Sequence, residues 1–290
     1  MLCALPVDDA ENVDDLVDRV LGSDRASDKT LLLELVKLLE SIAEHASAVR
    51  VQEKVLEIKE REFGRDHVQV VVTLECLGCA HGRLGDNAKK RELLERALAI
   101  NEREFGRDHV EVAITLGNLG NAYSDLGNAA KSRELYERAL AIKEREYGRD
   151  HVEVAKTLNN LGNAHGDLGN NAKKCDFLER ALAIKEREYG RDHVQVASTL
   201  VNLGVAYGRL GNKAKKRELL LERALAIFER EYGRDHVQVA STLVNLGNAY
   251  GDLGDDAKKR DLLERALAIF EREFGRDHPH AALCRRLLGG

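Results

Sequence analysis

The sequence predicts an all-α solenoid of antiparallel helix pairs, and three observations carry that reading. The tetrapeptide Gly-Arg-Asp-His starts at Gly64, Gly106, Gly148, Gly190, Gly233 and Gly275, at intervals of 42, 42, 42, 43 and 42 residues. Self-similarity at one fixed period marks stacked units, each burying its apolar face against its neighbours. Within a unit the apolar residues step by threes and fours, as at Val112, Leu116, Leu119, Tyr123 and Leu126, which keeps one helical face apolar. Glycines punctuate each unit twice, at Gly127-Asn128 in the middle and at Gly148 after an aromatic residue, so each unit reads as two helices.

The ends of the chain depart from the repeat. Residues 1–28 are an N-terminal segment, with 1–11 expected to be loose and 12–21 to form a short capping helix. The solenoid proper spans 29–278, and its first unit is degenerate. There Leu32, Leu35 and Leu39 supply a first-helix stripe, and Val55-Leu56-Glu57-Ile58 stands where later units have Ala-Leu-Ala-Ile. Residues 279–290 are a truncated C-terminal capping helix.

The first helix of a unit opens on Asp with Glu or Gln three residues later: Asp108/Glu111, Asp150/Glu153 and Asp192/Gln195. That spacing predicts a capping box with Asp at the N-cap. The second helix carries Leu135, Ala139 and Ile142 on one stripe. The pairs Glu92/Arg96, Glu134/Arg138 and Asp176/Arg180 are expected to support it at i,i+4. The glycine after Phe63, Phe105, Tyr147, Tyr189, Tyr232 or Phe274 suits a left-handed helix end. The single 43-residue interval places one extra residue between Gly211 and Ala224. A later helix start that lengthens the loop is favoured over a π-bulge, since π-helical turns are rare.

Composition excludes several classes. The chain has 45 Lys+Arg against 50 Asp+Glu, a net charge of −5, which argues against a dedicated nucleic-acid binder. Its 2 prolines, where roughly 14 are usual for this length, disfavour linkers and Pro-rich segments. No apolar run approaches the ~20 residues of a membrane helix. Met1 to Pro6 lacks the basic and apolar regions of a signal peptide. Five irregularly placed cysteines make no disulfide framework. A cytoplasmic protein is expected.

No catalytic or metal constellation stands out. The histidines His67, His109, His151, His193, His236 and His278 lie one unit apart. That separation, on the order of 10–20 Å, is too far to share an ion. A structural role at the helix start is expected of them. Cys76-x-x-Cys79 with His81 has metal-like spacing but no second ligand pair, so free thiols are expected. The glycine pairs, such as Gly162 and Gly166, follow no strand and form no phosphate loop. Gly120, Gly162, Gly204 and Gly247 are expected to admit close helix contact. The second glycines, as in Gly208 and Gly251, are expected to leave groove space. The chain reads as no enzyme, with no cofactor and no metal.

The motif Leu158-x-x-Leu161-Gly162-x-x-His165, with Tyr123, Tyr207 or Tyr250 at the last place in other units, overlaps the end of the string from Ala139 to Gly162, ALAIKEREYGRDHVEVAKTLNNLG. It resembles the first helix of the tetratricopeptide repeat. Ala97, Ala139, Ala181, Ala224 and Ala266 match that repeat's second-helix small residue. The 42-residue period is similar to the long repeats of kinesin light chain, and the resemblance covers roughly residues 46–278. Val68, Val110, Val152, Val194 and Val237 replace the family's Pro after His, which only Pro279 keeps. Lys90, Ser132, Lys174 or Lys259 replaces its other small residue.

The resemblance implies a right-handed superhelical solenoid of about six hairpins plus terminal caps. It also implies a concave groove, lined by first helices, that binds extended or helical peptides through Asn amides. An amide both donates and accepts, so it pairs with any peptide backbone. The implied groove residues are Asn121, Asn159, Asn163 and Asn248. Lys156 and Arg209 stand among mixed charges, and Val201, Val205 and Val244 are expected to form an apolar patch. Asn118, Asn160, Asn202 and Asn245 form a second row, expected to ladder neighbouring repeats together.

The predicted function is a non-catalytic scaffold whose partner is a protein or peptide ligand, not a nucleic acid or a membrane. The rival is a structural protein that self-associates weakly end to end through Leu283, Leu287 and Leu288. A third reading is the sensing arm of a larger signalling protein.

Overall fold

The computed structural model describes residues 12–211 and 214–289. The chain divides into two compact units, one ending at Ile142 and one starting at Lys143. The first holds α1 (Val13–Leu21), α2 (Lys29–Ser41), α3 (His45–Phe63), α4 (Val71–Arg83), α5 (Asn87–Phe105) and α6 (Val110–Asp125). Helix α7 (Ala129–Tyr147) begins in the first unit and ends in the second. The second unit continues with α8 (Val152–Asp167), α9 (Asn171–Tyr189), α10 (Val194–Arg209), α11 (Ala214–Tyr232), α12 (Val237–Asp252), α13 (Asp256–Phe274) and α14 (Pro279–Gly289). The pairs α2/α3 through α12/α13 make six hairpins, with α1 before them and α14 after. The expectation for residues 1–11 falls outside the described residues. Short 3-10 turns at Asp24–Ser27 and Val68–Val70 precede α2 and α4.

Within each unit, a hairpin closes on its own apolar stripe and on the neighbouring hairpin. In the first unit Val112, Leu116, Leu119, Leu135, Ala139 and Ile142 share one cluster, as their spacing predicts. In the second, Val196, Leu200, Ala224, Phe228, Val239, Leu243, Ala266 and Phe270 share another. Helix α1 covers α3: Val17 is fully buried, and Asp14 accepts from the Ser47 hydroxyl at 2.6 Å.

Three local devices differ from expectation. The first-helix N-cap is His, not Asp. His109, His151, His193 and His236 each accept through Nδ1 from the backbone N–H two residues on, at 3.1–3.2 Å. The accepting Nδ1 carries no proton, so each neutral ring keeps its proton on Nε2. Each ring also stacks on the aromatic residue four places earlier, from 5.5 Å at Phe63–His67 to 4.4 Å at Phe274–His278. Aromatic, Gly-Arg-Asp and His are therefore one folded turn.

The glycine in that turn has positive φ but is not left-handed helical. Gly190 sits at φ 84°, ψ 158°, a region essentially reserved for glycine.

Arg96, Arg138 and Arg180 do not pair with the acids four residues before them. They reach back one repeat. Arg138 meets Glu102 at 2.5 Å and donates to the Arg107 carbonyl at 2.7 Å. Arg265 meets Glu229 at 2.6 Å and donates to the Arg234 carbonyl at 2.8 Å. Arg96, Arg180 and Arg223 do the same with Glu60, Glu144 and Glu186. The acids expected to hold them look elsewhere, as Glu92 to Lys89 and Glu134 to Lys131. Each arginine thus staples its helix to the turn of the preceding repeat.

The 43-residue repeat keeps a 19-residue second helix, the length of α9 and α13. Helix α11 starts three residues after Gly211, whereas α9 starts two after Gly169. Arg217 and Glu222 then fall in register with Lys174 and Glu179, as the later start requires.

Candidate functional site

First helices of successive repeats touch within each unit: α4 with α6, and α10 with both α8 and α12. Their adjoining faces form the candidate surface. Glycine sets how closely the second helices approach it. A Cβ at Gly162 would stand 3.3 Å from Leu178 Cγ and 3.4 Å from the Lys174 carbonyl, so the first glycine is a true close-contact site. The second glycine does not leave open groove. A Cβ at Gly82 or Gly166 would lie 2.7 or 2.6 Å from Cδ of Lys90 or Lys174, and at Gly208 it would lie 2.9 Å from the Arg217 guanidinium. The space belongs to a basic side chain crossing from the second helix, eight or nine residues later. That spacing was visible in the sequence.

The predicted residues separate by unit. In the first, Asn121 Oδ1 accepts from the Tyr136 hydroxyl at 2.5 Å, so its acceptor is engaged within its own repeat. In the second, Asn159, Asn163, Val201, Val205 and Asn248 are all half-buried on α8, α10 and α12, while Lys156 and Arg209 are exposed. Lys156 is held by Glu153. The amide nitrogen of Asn159 donates to Thr199 Oγ1 at 3.1 Å, and its buried Oδ1 has no hydrogen-bond partner.

Val244 is only 9% exposed and sits in the apolar cluster with Phe228, against which Val201 packs. The three valines therefore form no open patch. Phe228 takes the place that Lys185 has in the repeat before and is buried in the same cluster as Val244. In the second asparagine row, Asn118 hydrogen-bonds Glu75.

A strip of polar residues that sequence reasoning missed lies between repeats. Three of its buried threonines each meet a residue 14 places earlier on the preceding second helix. Lys59 donates to Thr73 at 2.9 Å, Asn101 to Thr115 at 2.9 Å and Lys185 to Thr199 at 3.0 Å. Thr115 in turn donates to Glu75 at 2.6 Å. Burial raises the Glu75 carboxyl above its ordinary range, the Thr115 bond opposing. Burial lowers the Lys143 ammonium, with Glu153 3.7 Å away working against it. Lys185 has no carboxylate partner among the described residues. Burial, with Lys156 nearby, brings it down to about 8. The signal was present as Thr73, Thr115, Thr157 and Thr199, each with Lys or Asn 14 residues before it, but 14-residue spacing carries no helical meaning by itself.

Among the described residues, no group of three His, Cys, Asp or Glu side chains could hold a metal ion, and no helix is long and apolar enough to cross a membrane. Cys76, Cys79, Cys175 and Cys284 are in no disulfide.

The fold and this surface define a helical-hairpin repeat protein. Two models of the tetratricopeptide repeat match it, one at residues 83–145, 111–173 and 153–215, the other at 30–69, 196–238 and 239–280. The chain belongs to the tetratricopeptide-repeat family. Among solved structures it is similar to a Podosopora anserina putative kinesin light chain with nearly identical TPR-like repeats. That match has 22% identity and a TM-score of 0.61, over 72% of this chain and 98% of that one. It is also similar to BtubC (BKLC) from P. vanneervenii, at 26% identity and TM-score 0.64, over 83% and 94% of the two chains. The apo form of the quorum sensor NprR from B. thuringiensis matches at 14% identity and TM-score 0.67, over 94% and 74%. No curated protein matches the sequence.

Proposed function

We propose that this chain is a non-catalytic, cytoplasmic scaffold of the kinesin-light-chain-like repeat type that holds an extended protein or peptide segment against α8, α10 and α12. Asn159, Asn163 and Asn248 pair with the backbone of the segment. Val201 and Val205 line its apolar contact, and Lys156 and Arg209 stand at the margins. Val244 supports this floor from below.

The observation that carries the reading is the buried, partnerless Oδ1 of Asn159. An unsatisfied buried acceptor costs about 1–3 kcal/mol, which a peptide N–H would recover. The triple variant Asn159→Ala/Asn163→Ala/Asn248→Ala tests it. Peptides selected from a random displayed library on the wild-type chain should bind the variant at least about tenfold more weakly, at roughly 1 kcal/mol per lost hydrogen bond. Both proteins must first show equal thermal melts. Equal affinity for both would move the binding surface away from the first helices.

A further inference from the structure

The basic side chains that cross the second glycine do not end blindly. Lys90 runs over Gly82 to Asp125 of the next repeat, Nζ to Oδ2 2.8 Å. Arg217 runs over Gly208 to Asp252 in the same way. Each is a rung of opposite charges joining one repeat to the next. Between them stands Lys174, whose course over Gly166 matches that of Lys90: Nζ lies 3.2 Å from the glycine's Cβ position, against 3.3 Å for Lys90. The residue at the far end of its rung is Arg209, where the other rungs have Asp125 and Asp252.

We infer that Lys174 and Arg209 form a subsite for one carboxylate of an acidic side chain on the bound segment, the segment itself supplying the acid that the other rungs carry in the chain. This rests on the groove reading above. Lys174 is 7% exposed, and no carboxylate among the described residues lies within ion-pair distance of it. Arg209 is exposed and makes no ion pair among the described residues. A buried cation facing a second cation is costly unless an anion answers both. Burial and the Arg209 charge both press the Lys174 ammonium below its ordinary range, while the Asp167 charge only partly offsets them. The lysine also lies in the first turn of α9, where the helix dipole adds positive potential. Lys174, Arg209 and Asp167 together carry one net positive charge, which suits a single carboxylate better than a doubly charged phosphate. The guanidinium fork of Arg209 takes a carboxylate in two-point fashion, while the Lys174 ammonium binds it as a point charge.

The test uses the full chain and two probes, fluorescein-labelled octaglutamate and octaglutamine, read by anisotropy at low salt. Arg209→Asp rebuilds the rung seen at Lys90–Asp125. It should melt no lower than wild type and lose about tenfold in octaglutamate affinity, the scale of one charged hydrogen-bonded contact. Wild type should prefer octaglutamate over octaglutamine by a similar factor, and the variant should lose that preference. Arg149→Asp makes the same change of net charge at an exposed turn and should leave octaglutamate binding within about twofold, as expected for a remote, screened charge. Arg209→Gln, which removes the charge without rebuilding the rung, serves if the first variant misfolds.

Three results would overturn the subsite: no octaglutamate preference in wild type, equal octaglutamate binding by the Arg209 variants, or an equal loss in Arg149→Asp. The asparagine-dependent binding of library peptides is a separate readout. If it survives while the octaglutamate result fails, the groove stands without the acid subsite. If it is lost as well, the groove reading falls too.

Discussion

Removing one arginine staple should cost more than a surface ion pair usually does. Arg265 reaches from α13 to Glu229 at 2.6 Å and to the Arg234 carbonyl at 2.8 Å, with both charged side chains 27% exposed. An exposed pair is worth about 0.2–1 kcal/mol. The added hydrogen bond to the turn carbonyl contributes about 1 kcal/mol. Arg265→Met keeps most of the aliphatic stem and should therefore destabilise by about 1.2–2 kcal/mol, the sum of those two terms. Glu229→Gln keeps the carbonyl bond and should cost only the ionic part. The double variant should then show a coupling of about 0.5–1 kcal/mol. Urea denaturation of all four proteins, followed by circular dichroism, measures the cycle. A single-variant loss below about 0.5 kcal/mol, within the range of ordinary surface changes, would refute the staple as a stabilising contact. So would a coupling indistinguishable from zero, which would leave Arg265 as packing alone.

Other outcomes follow from the same geometry. His193→Ala removes the N-cap of α10 and should cost about 1 kcal/mol in the same urea assay, with earlier hydrogen exchange at the Gln195 amide. Gly190→Ala forces a Cβ into a backbone region glycine alone favours and should cost about 1–3 kcal/mol, although nothing lies within 4 Å to clash with it. Lys185 has a folded pKa of about 8, below its ordinary value of 10.5, so the unfolded chain binds the extra proton between those values. Its burden on stability is therefore full below pH 8 and fades as pH rises toward 10.5. Lys185→Met should accordingly stabilise near pH 7, on the order of 2 kcal/mol, with the gain shrinking by pH 10 in paired urea titrations.

The stripes, hairpin count and glycine contacts were legible because they repeat at helical spacing, which is local physics. The caps were not. Asp108 and His109 are adjacent acceptors, and the Asp-x-x-Glu pattern favours the first. What selects the second is Phe105, whose ring holds the imidazole at 4.8 Å with Nδ1 toward the helix. The arginines were misassigned for a related reason. Glu134 lies four residues before Arg138 and Glu102 lies 36 before it. Only the stacking of one repeat on another brings the distant acid closer than the local one. In the candidate site, the asparagine positions could be read from the repeat, but Val244 could not be known as buried without placing Phe228 against it.

Near-identity of the repeats turns each interface into a comparison of one another. Where Lys185 meets Thr199, the neighbouring groove positions hold Asn159 on one side and Val201 on the other. One repeat later Phe228 replaces the lysine, and Val244 is drawn into the core beside it. The two changes fall at one interface, where Phe228 and Val244 share an apolar cluster. The scaffold residues that hold helices apart stay the same across this change: Leu200 and Leu243, Gly204 and Gly247, Ala224 and Ala266. The stack therefore tolerates variation in a narrow strip, where one second helix meets the first helices on either side. That strip is also where the unsatisfied Asn159 carbonyl and the Lys174–Arg209 pair lie, off the apolar stripe. Differences in a strip the fold does not constrain are available to specify what binds there, which is why the groove, and not the turns or the arginine staples, carries the functional proposal.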